Sequence, residues 1–137
     1  MNKVVVHTLD GRVLKGNTLD FVPNKTSFHL VDAADERKVA QIPTRELKAV
    51  FFVRSFHGDR SYKAPKVIED KTRAPGRKLR VTFRDGEVIH GTSYAYTPGR
   101  DGFFLVPADG QDNNERIYIF VHATREVEVI QLSAAAR

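Results

Sequence analysis

The side chains of this chain that could carry chemistry are mainly cationic. Lysine and arginine number 22 against 17 aspartate and glutamate, which gives a net charge of +5. The excess is uneven: residues 1–56 and 57–77 each carry three more basic than acidic side chains, whereas residues 78–137 carry one fewer. A local positive charge favours contact with phosphates or with an acidic protein surface. The alternative is an ordinary solvated surface.

One candidate for nucleic-acid contact is the basic segment that leads into the second half of the chain. Its cations follow a tyrosine, whose ring could stack on a base. We therefore predict, as an alternative function, binding of RNA or single-stranded nucleic acid through this segment and the first half. The candidate residues are Tyr62, Lys63, Lys66, Lys71, Arg73, Arg77 and Lys78.

Two of these arginines also resemble a nucleotide-binding motif. Arg73-Ala-Pro-Gly-Arg77 has the Arg-x-x-x-Arg spacing of PilZ domains and directly precedes a predicted barrel. Paired arginines can fork onto phosphates and stack on guanine. The resemblance implies cyclic di-GMP as a ligand of Arg73 and Arg77. At Gly99 the second PilZ motif is not matched, because Tyr94 and Tyr96 hold its acid and serine positions. Cyclic di-GMP is therefore a second alternative.

Residues for catalysis or metal binding do not form a recognisable pattern. No two histidines have a metal-ligand spacing, and the chain has no cysteine. No serine occupies a nucleophile elbow, and no glycine-rich loop leads from a strand into a helix. We therefore predict a protein that is not an enzyme and that has no metal or cofactor. The histidines are His7, His29, His57, His90 and His122.

The elements that position these residues come from an internal duplication. Residues 4–33 and 79–108 share one frame without a gap. The shared frame is a strand, an Asp-Gly turn, a strand with an internal glycine, a proline turn and a third strand. Asp-Gly predicts a hairpin turn in which both residues have positive φ. A glycine inside a strand indicates a bend. The matched positions include Asp10-Gly11 with Asp85-Gly86, Gly16 with Gly91, Pro23 with Pro98, and Phe28 with Phe103.

Each copy continues into two more short strands. The common Thr-Arg-Glu at residues 44–46 and 124–126 aligns the turns between those strands. Five strands per copy predict an all-β protein of two tandem five-stranded antiparallel barrels. The expected boundaries are residues 1–56 for the first barrel, 57–77 for a linker, 78–132 for the second barrel and 133–137 for a tail.

The first copy resembles the first motif of Sm-like small barrels. The resemblance rests on Val4-x-Val6, Asp10-Gly11, Gly16 and Phe21, followed by Phe28-x-Leu30-Val31-Asp32. It implies the Sm-like fold for each half, and the duplicated layout resembles an uncharacterised bacterial family of twin-barrel proteins. Sm-like proteins bind RNA partly through an Arg/Lys-Gly pair near the fourth turn. Glutamate follows the arginine of that turn in both copies here.

Four apolar side chains are expected on the outward faces of the strands. The register of the second copy places Val5 and Leu9 where Arg80 and Arg84 stand, and the run 50–53 is apolar on both faces. Such residues cover either the other half or a foreign chain. For a foreign chain, the partner-binding candidates are Val5, Leu9, Phe51 and Phe104.

These patterns favour a non-enzymatic binding module that serves as a protein-interaction or regulatory adaptor. Its expected partner is another protein or a second copy of the chain, bound by strand addition or face-to-face docking. We also expect the halves to pack together, because each has a small core by itself. The lack of cysteine and of any apolar run long enough to span a membrane favours a cytoplasmic protein.

Overall fold

The computed structural model describes residues 1–56, 76–108 and 113–130. Most of the predicted linker, residues 109–112 and the predicted tail lie outside these ranges. Tyr62, Lys63, Lys66, Lys71 and Arg73 therefore lie outside the described residues.

Ten antiparallel β-strands make up nearly all of the described structure, which confirms the all-β prediction. Two short 3-10 turns, Thr44–Glu46 and Val121–Ala123, precede the last strand of each half. The strands of the first half are β1 Asn2–Thr8, β2 Val13–Thr18, β3 Ser27–Asp32, β4 Val39–Pro43 and β5 Leu47–Val53. Those of the second half are β6 Arg77–Phe83, β7 Val88–Ser93, β8 Gly102–Pro107, β9 Asn114–Phe120 and β10 Thr124–Val129.

All ten strands belong to one open sheet rather than to two separate closed barrels. The strand order is β10-β6-β7-β8-β9-β5-β1-β2-β3-β4. Within each half the order is the same, with the last strand placed beside the first. The two halves join where β5 pairs with β9, so β5 is not available to close the first half against β4. Strands β4 and β10 are consequently the edges of the sheet.

The central strands β5 and β9 contribute to two hydrophobic cores on opposite faces of the sheet. Alternate residues of a strand point to opposite faces. In β5, Val50 and Phe52 enter the core of the first half, whereas Ala49 and Phe51 enter the core of the second. Every residue of β5 is buried, including Lys48. The continuous apolar run of this strand is explained by its use on both faces.

The Asp-Gly turns form at the predicted positions but with a different backbone. Gly11 has a φ of 91° and Gly86 a φ of 96°, and no other residue type among those described has positive φ. The prediction of positive φ at Asp10 and Asp85 is therefore wrong. The Gly11 N–H donates to the Thr8 carbonyl and the Thr8 N–H donates to the Arg12 carbonyl. This is a three-residue loop, in which only the last residue needs the left-handed conformation.

The strand glycines allow two strands to approach closely. A Cβ atom at Gly16 would collide with the Val31 carbonyl oxygen, and one at Gly91 would collide with that of Val106. These are equivalent contacts of the two halves, so the duplication extends to the crossing of the second and third strands.

The alignment of the last strands through Thr-Arg-Glu is wrong. Leu47 pairs with Thr8, and Thr124 pairs with Phe83, which is the position equivalent to Thr8. Leu47 and Thr124 are therefore equivalent, and the two 3-10 turns that precede them correspond. The first Thr-Arg-Glu forms a 3-10 turn, whereas the second begins β10. Strand pairing, rather than the tripeptide, determines the register.

Candidate functional site

The outward apolar residues pack between the two halves, with one exception. Phe51 is 7% exposed in the second core, against which Val5 also packs. Phe104 packs against the core of the first half. These three side chains hold the halves together, which was one of the two interpretations open from the sequence. Leu9 remains 52% exposed.

A cleft of about 520 Å³ lies between the halves at one end of the sheet. Its walls come from four turns: the β2–β3 and β7–β8 turns and the two 3-10 turns. The floor includes Tyr118 and Phe120 of β9. Because the cleft needs both halves, it exists only as a result of the β5–β9 pairing. The charged and aromatic side chains that line it are Lys25, Arg45, Arg100, Asp101, Tyr118, Phe120 and His122.

Three cationic side chains line this cleft from three different turns. Lys25 and Arg100 occupy equivalent positions of the duplication, each two residues after the turn proline. Neither forms a side-chain ion pair with another described residue. Arg45 approaches its neighbour Glu46 at 4.0 Å. With Asp101 as the acidic lining residue, the positive charges exceed the negative ones in the cleft. The arrangement favours an anionic ligand.

An ordered aromatic surface forms another part of the cleft. The His122 ring lies nearly parallel to the Phe120 ring, with 13° between the planes and 5.5 Å between the centroids. Its Nε2 donates a hydrogen bond to the Leu47 carbonyl at 2.6 Å, which fixes the orientation of the imidazole. Burial, together with the nearby Asp101 carboxylate, raises the pKa of the Tyr118 phenol. Tyr118 is therefore a neutral hydroxyl here.

Another cation at the junction, Arg116, already contacts two aromatic rings of the protein. The Arg116 guanidinium lies 4.4 Å from the centroid of the Phe52 ring and 4.7 Å from that of Phe104. These rings come from the two different halves. Cation–π contact on both rings therefore stabilises the junction, and it occupies Arg116 without any ligand.

An ion cluster crosses the junction on the opposite face of the sheet. Lys48 of β5 is only 8% exposed, and its Nζ donates to the Asp85 carboxylate at 2.6 Å and to that of Glu87. Burial alone would lower the pKa of Lys48, but these two hydrogen bonds outweigh it and the pKa is raised. The hydrogen bond from Lys48 is likewise the main cause that lowers the pKa of Asp85. We assign the cluster a structural role, because the buried Lys48 ammonium joins β5 of the first half to two carboxylates of the second half.

The edge strand β4 leaves backbone hydrogen-bonding groups unpaired within the described sheet. The Thr44 N–H donates to the Thr26 carbonyl, and the Asp32 N–H donates to the Lys38 carbonyl. Backbone bonding alternates along an antiparallel pair. The even-numbered residues of β4 therefore bond to β3, while the N–H and C=O groups of Val39 and Gln41 point away from the sheet. Val39 is also 57% exposed.

Of the basic candidates named from the sequence, Arg77 and Lys78 lie among the described residues. The Arg77 guanidinium donates to the Tyr96 carbonyl and lies 5.6 Å from the centroid of the Tyr96 ring. Lys78 belongs to β6, where it pairs with Thr92. Arg73, the other half of the PilZ-like motif, lies outside the described residues. The described ranges hold no group of three His, Cys, Asp or Glu side chains that could bind a metal ion.

Comparison with known proteins identifies a family that covers almost the whole chain. A family model described as a family of unknown function, DUF6982, matches residues 1–131. The chain belongs to DUF6982. No curated protein and no solved structure matches it. Membership in DUF6982 therefore assigns no activity, and functional inference rests on the geometry of the sheet edges and the cleft. Within the described ranges of this DUF6982 member, no helix is long and apolar enough to cross a membrane.

The cations of the cleft were not singled out from the sequence. The signal for two of them was present, because the duplication aligns Lys25 with Arg100 after equivalent prolines. The other lining residues could not be recognised in that way. Arg45 and His122 are the equivalent middle residues of the two 3-10 turns, but the Thr-Arg-Glu alignment hid that equivalence, and they line one cleft only because the halves are joined.

Proposed function

We propose that this protein is a non-enzymatic binding module, an adaptor that adds an extended segment of a partner protein to the free edge of β4. The observation that carries the proposal is the pair of positions Val39 and Gln41, whose outward backbone groups have no partner strand within the described sheet. An exposed sheet edge presents a row of donors and acceptors that a second strand can complete.

The junction between the halves shows how such a strand would bind. Tyr118 and Arg116 of β9 pair with Val50 and Phe52 of β5. Gln41 and Val39 are the equivalents of Tyr118 and Arg116, since Phe28 pairs with Ile42 as Phe103 pairs with Ile119. A partner strand would therefore run antiparallel to β4, in the place that β5 takes beside β9.

Side chains around β4 define the partner further. Ile117 and Ile119 of β9 are buried under β5, and their equivalents in β4 are Ala40, which is exposed, and Ile42, which is 7% exposed. A partner with an apolar side chain on this face would cover Ala40 as Phe51 covers Ile117. The other face of β4 carries Gln41 and the exposed Val39, so a partner residue beside Gln41 would be polar and one beside Val39 apolar.

We also propose that each half is an opened variant of the Sm-like barrel. The support is the meander of five short strands and the motif around Asp10-Gly11 and Gly16, which recurs in the second half. A partner strand added at β4 would then pair with the first half in the same geometry in which β5 pairs with β9 of the second half.

The experiment is selection of binding peptides from a random displayed library with the full-length protein, followed by amide hydrogen exchange. We expect a selected peptide to protect the Val39 and Gln41 amides. Gln41→Pro removes one edge donor without removing a bond to β3, and we expect it to weaken the peptide about tenfold.

The matched control is Val127→Pro, which removes an outward donor from the other edge strand, β10. Strand addition at β4 is contradicted if no peptide is selected, if the selected peptides bind Gln41→Pro as tightly as the parent, or if Val127→Pro has the same effect.

A further inference from the structure

We propose that the cleft between the halves binds a nucleotide, with its phosphate on Lys25, Arg45 and Arg100 and its base on the exposed face of His122. This inference does not depend on strand addition at β4, since the cleft and the β4 backbone edge are different surfaces. The proposed nucleotide site is the cleft lined by both halves, whereas the sequence predicted nucleic-acid contact at the basic linker.

The phosphate part of the argument rests on charge. Lys25 and Arg100 reach the cleft from equivalent turns, and Arg45 comes from the first 3-10 turn. All three are exposed, and no described acidic side chain pairs closely with Lys25 or Arg100. Lys25 and Arg100, which lack a close described acidic partner, and Arg45, whose contact with Glu46 is as long as 4.0 Å, are suited to hold a phosphate in the cleft that they line.

The base part of the argument rests on the His122 ring. One face of the imidazole is covered by Phe120, while the residue as a whole is exposed and lines the cleft. The face opposite Phe120 is therefore open to a ligand. The hydrogen bond from Nε2 to the Leu47 carbonyl fixes the orientation of the ring before a ligand binds. A flat, fixed aromatic surface stacks on any nucleobase, because every base has a π-face.

The volume of the cleft and the Asp101 carboxylate that lines it restrict the class of ligand. A volume of about 520 Å³ lies in the range of roughly 300–1,000 Å³ that is usual for small-ligand sites. Asp101 repels additional phosphates and can accept a hydrogen bond from a sugar hydroxyl or a base amino group. We therefore infer one nucleotide with one phosphate. It is either free or part of a single strand.

The experiment measures the binding of two probes to the full-length protein by fluorescence anisotropy and amide NMR. The probes are a labelled six-nucleotide RNA and unlabelled nucleoside monophosphates, each at two salt concentrations. Tighter binding of the hexamer identifies the site as part of a strand-binding surface. If the monophosphates bind as tightly as the hexamer, the natural ligand of the site is a free nucleotide. Either result supports the proposal if shifts occur at the cleft residues.

The variants separate a specific site from general positive charge. Lys25→Ala with Arg100→Ala should weaken hexamer binding at least about tenfold and lower the slope of log affinity against log salt by about 0.7, since the cleft holds one phosphate and each neutralised single-strand phosphate accounts for about 0.7. The matched control is Lys3→Ala with Lys38→Ala, which removes the same charge from exposed positions outside the cleft.

His122 provides the second readout. His122→Ala should weaken binding with an unchanged salt slope, and His122→Phe should restore it, because stacking needs a ring but no charge. Amide spectra of each variant check that it is folded. The proposal is overturned if neither probe binds at low salt. It is also overturned if Lys3→Ala/Lys38→Ala weakens binding as much as the cleft pair.

Discussion

Strands β5 and β10 occupy equivalent places in the two halves, yet β5 is covered on both edges and β10 lies at the edge of the sheet. Their outward faces differ accordingly. In β5, Phe51 pairs across to Val5. At the equivalent place in the second half, Glu128 pairs across to Arg80, and their side chains form an ion pair at 2.8 Å. The same backbone frame therefore carries an apolar pair where the other half of the protein packs against it. It carries a charged pair where that face is exposed to solvent.

The third and fourth strands differ in the same way. Phe104 and Tyr118 face each other on β8 and β9 at the junction, with their ring centroids 4.9 Å apart. Their equivalents on β3 and β4 are His29 and Gln41, which are exposed. Charged and polar side chains along an edge disfavour pairing with another edge. A few outward residues thus determine which edges of the duplicated unit join.

The strongest test of this comparison gives β5 the outward residue of β10. Phe51→Glu places a carboxylate in the second core, at a residue that is only 7% exposed. We expect a loss of about 5 kcal/mol or more in the free energy of unfolding, which is enough to unfold a small domain. Urea titration followed by circular dichroism measures it.

The control for Phe51→Glu is Leu19→Glu, at a residue that is 78% exposed. It should change the free energy of unfolding by no more than about 0.5 kcal/mol. Similar stabilities of the two variants would show that the junction does not depend on Phe51.

The reverse exchange gives β10 the outward face of β5. Arg80→Val, Glu126→Ala and Glu128→Phe together reproduce Val5, Ala49 and Phe51. We expect β10 of one copy to add to β4 of the next, with association in about the micromolar range, because apolar area replaces the charges. Sedimentation velocity at several protein concentrations should detect larger species in this variant.

Apolar substitution elsewhere should not produce the same association. The control is Glu36→Phe with Arg37→Val, on the exposed β3–β4 loop. If the β10 variant sediments like the parent protein at every concentration, or if the loop control associates equally, outward composition does not decide which edges join.

A smaller effect compares the ion pairs of the two regions. Lys48→Met removes the buried cation that bonds to Asp85 and Glu87 across the junction, and we expect a loss of about 2 kcal/mol. Arg80→Met removes the partly exposed partner of Glu128 beside the edge strand β10, and the loss there should be smaller because solvent screens this ion pair more than that of Lys48. Thermal unfolding of both variants measures the two losses in stability. A larger loss for Arg80→Met would show that the Lys48 cluster is not the more stabilising of the two.

The smallest effect is the pH dependence of the junction. Because Lys48 lowers the pKa of Asp85, the ionised Asp85 stabilises the folded protein above its unfolded pKa of about 3.9. That contribution is lost as the pH falls through the lowered pKa. The stability difference between the parent and Lys48→Met should therefore shrink from about pH 7 to about pH 3. Urea titrations at both values test this, and a constant difference would contradict a role for Asp85.

Much of the local structure of this chain follows from its sequence. The repeat around Asp10-Gly11 and Gly16 predicts the strands, the hairpin turns and the inward residues, because turn geometry and side-chain alternation depend on neighbouring residues. The doubly apolar run at 50–53 also indicated that one face of β5 meets something beyond its own core. The positive φ predicted for Asp10 was wrong, since a loop one residue longer needs it only at glycine.

Tertiary structure alone decided how the halves join. Backbone hydrogen bonds between strands are nearly independent of sequence, so nothing in β5 specifies β9 as its neighbour before the outward side chains meet. The true equivalence of Leu47 with Thr124 likewise depends on pairing with β1 and β6. For the same reason, the cleft could not be read from the chain. Lys25, Arg45, Arg100 and His122 are distant in sequence, and they line one cleft only after β5 has paired with β9.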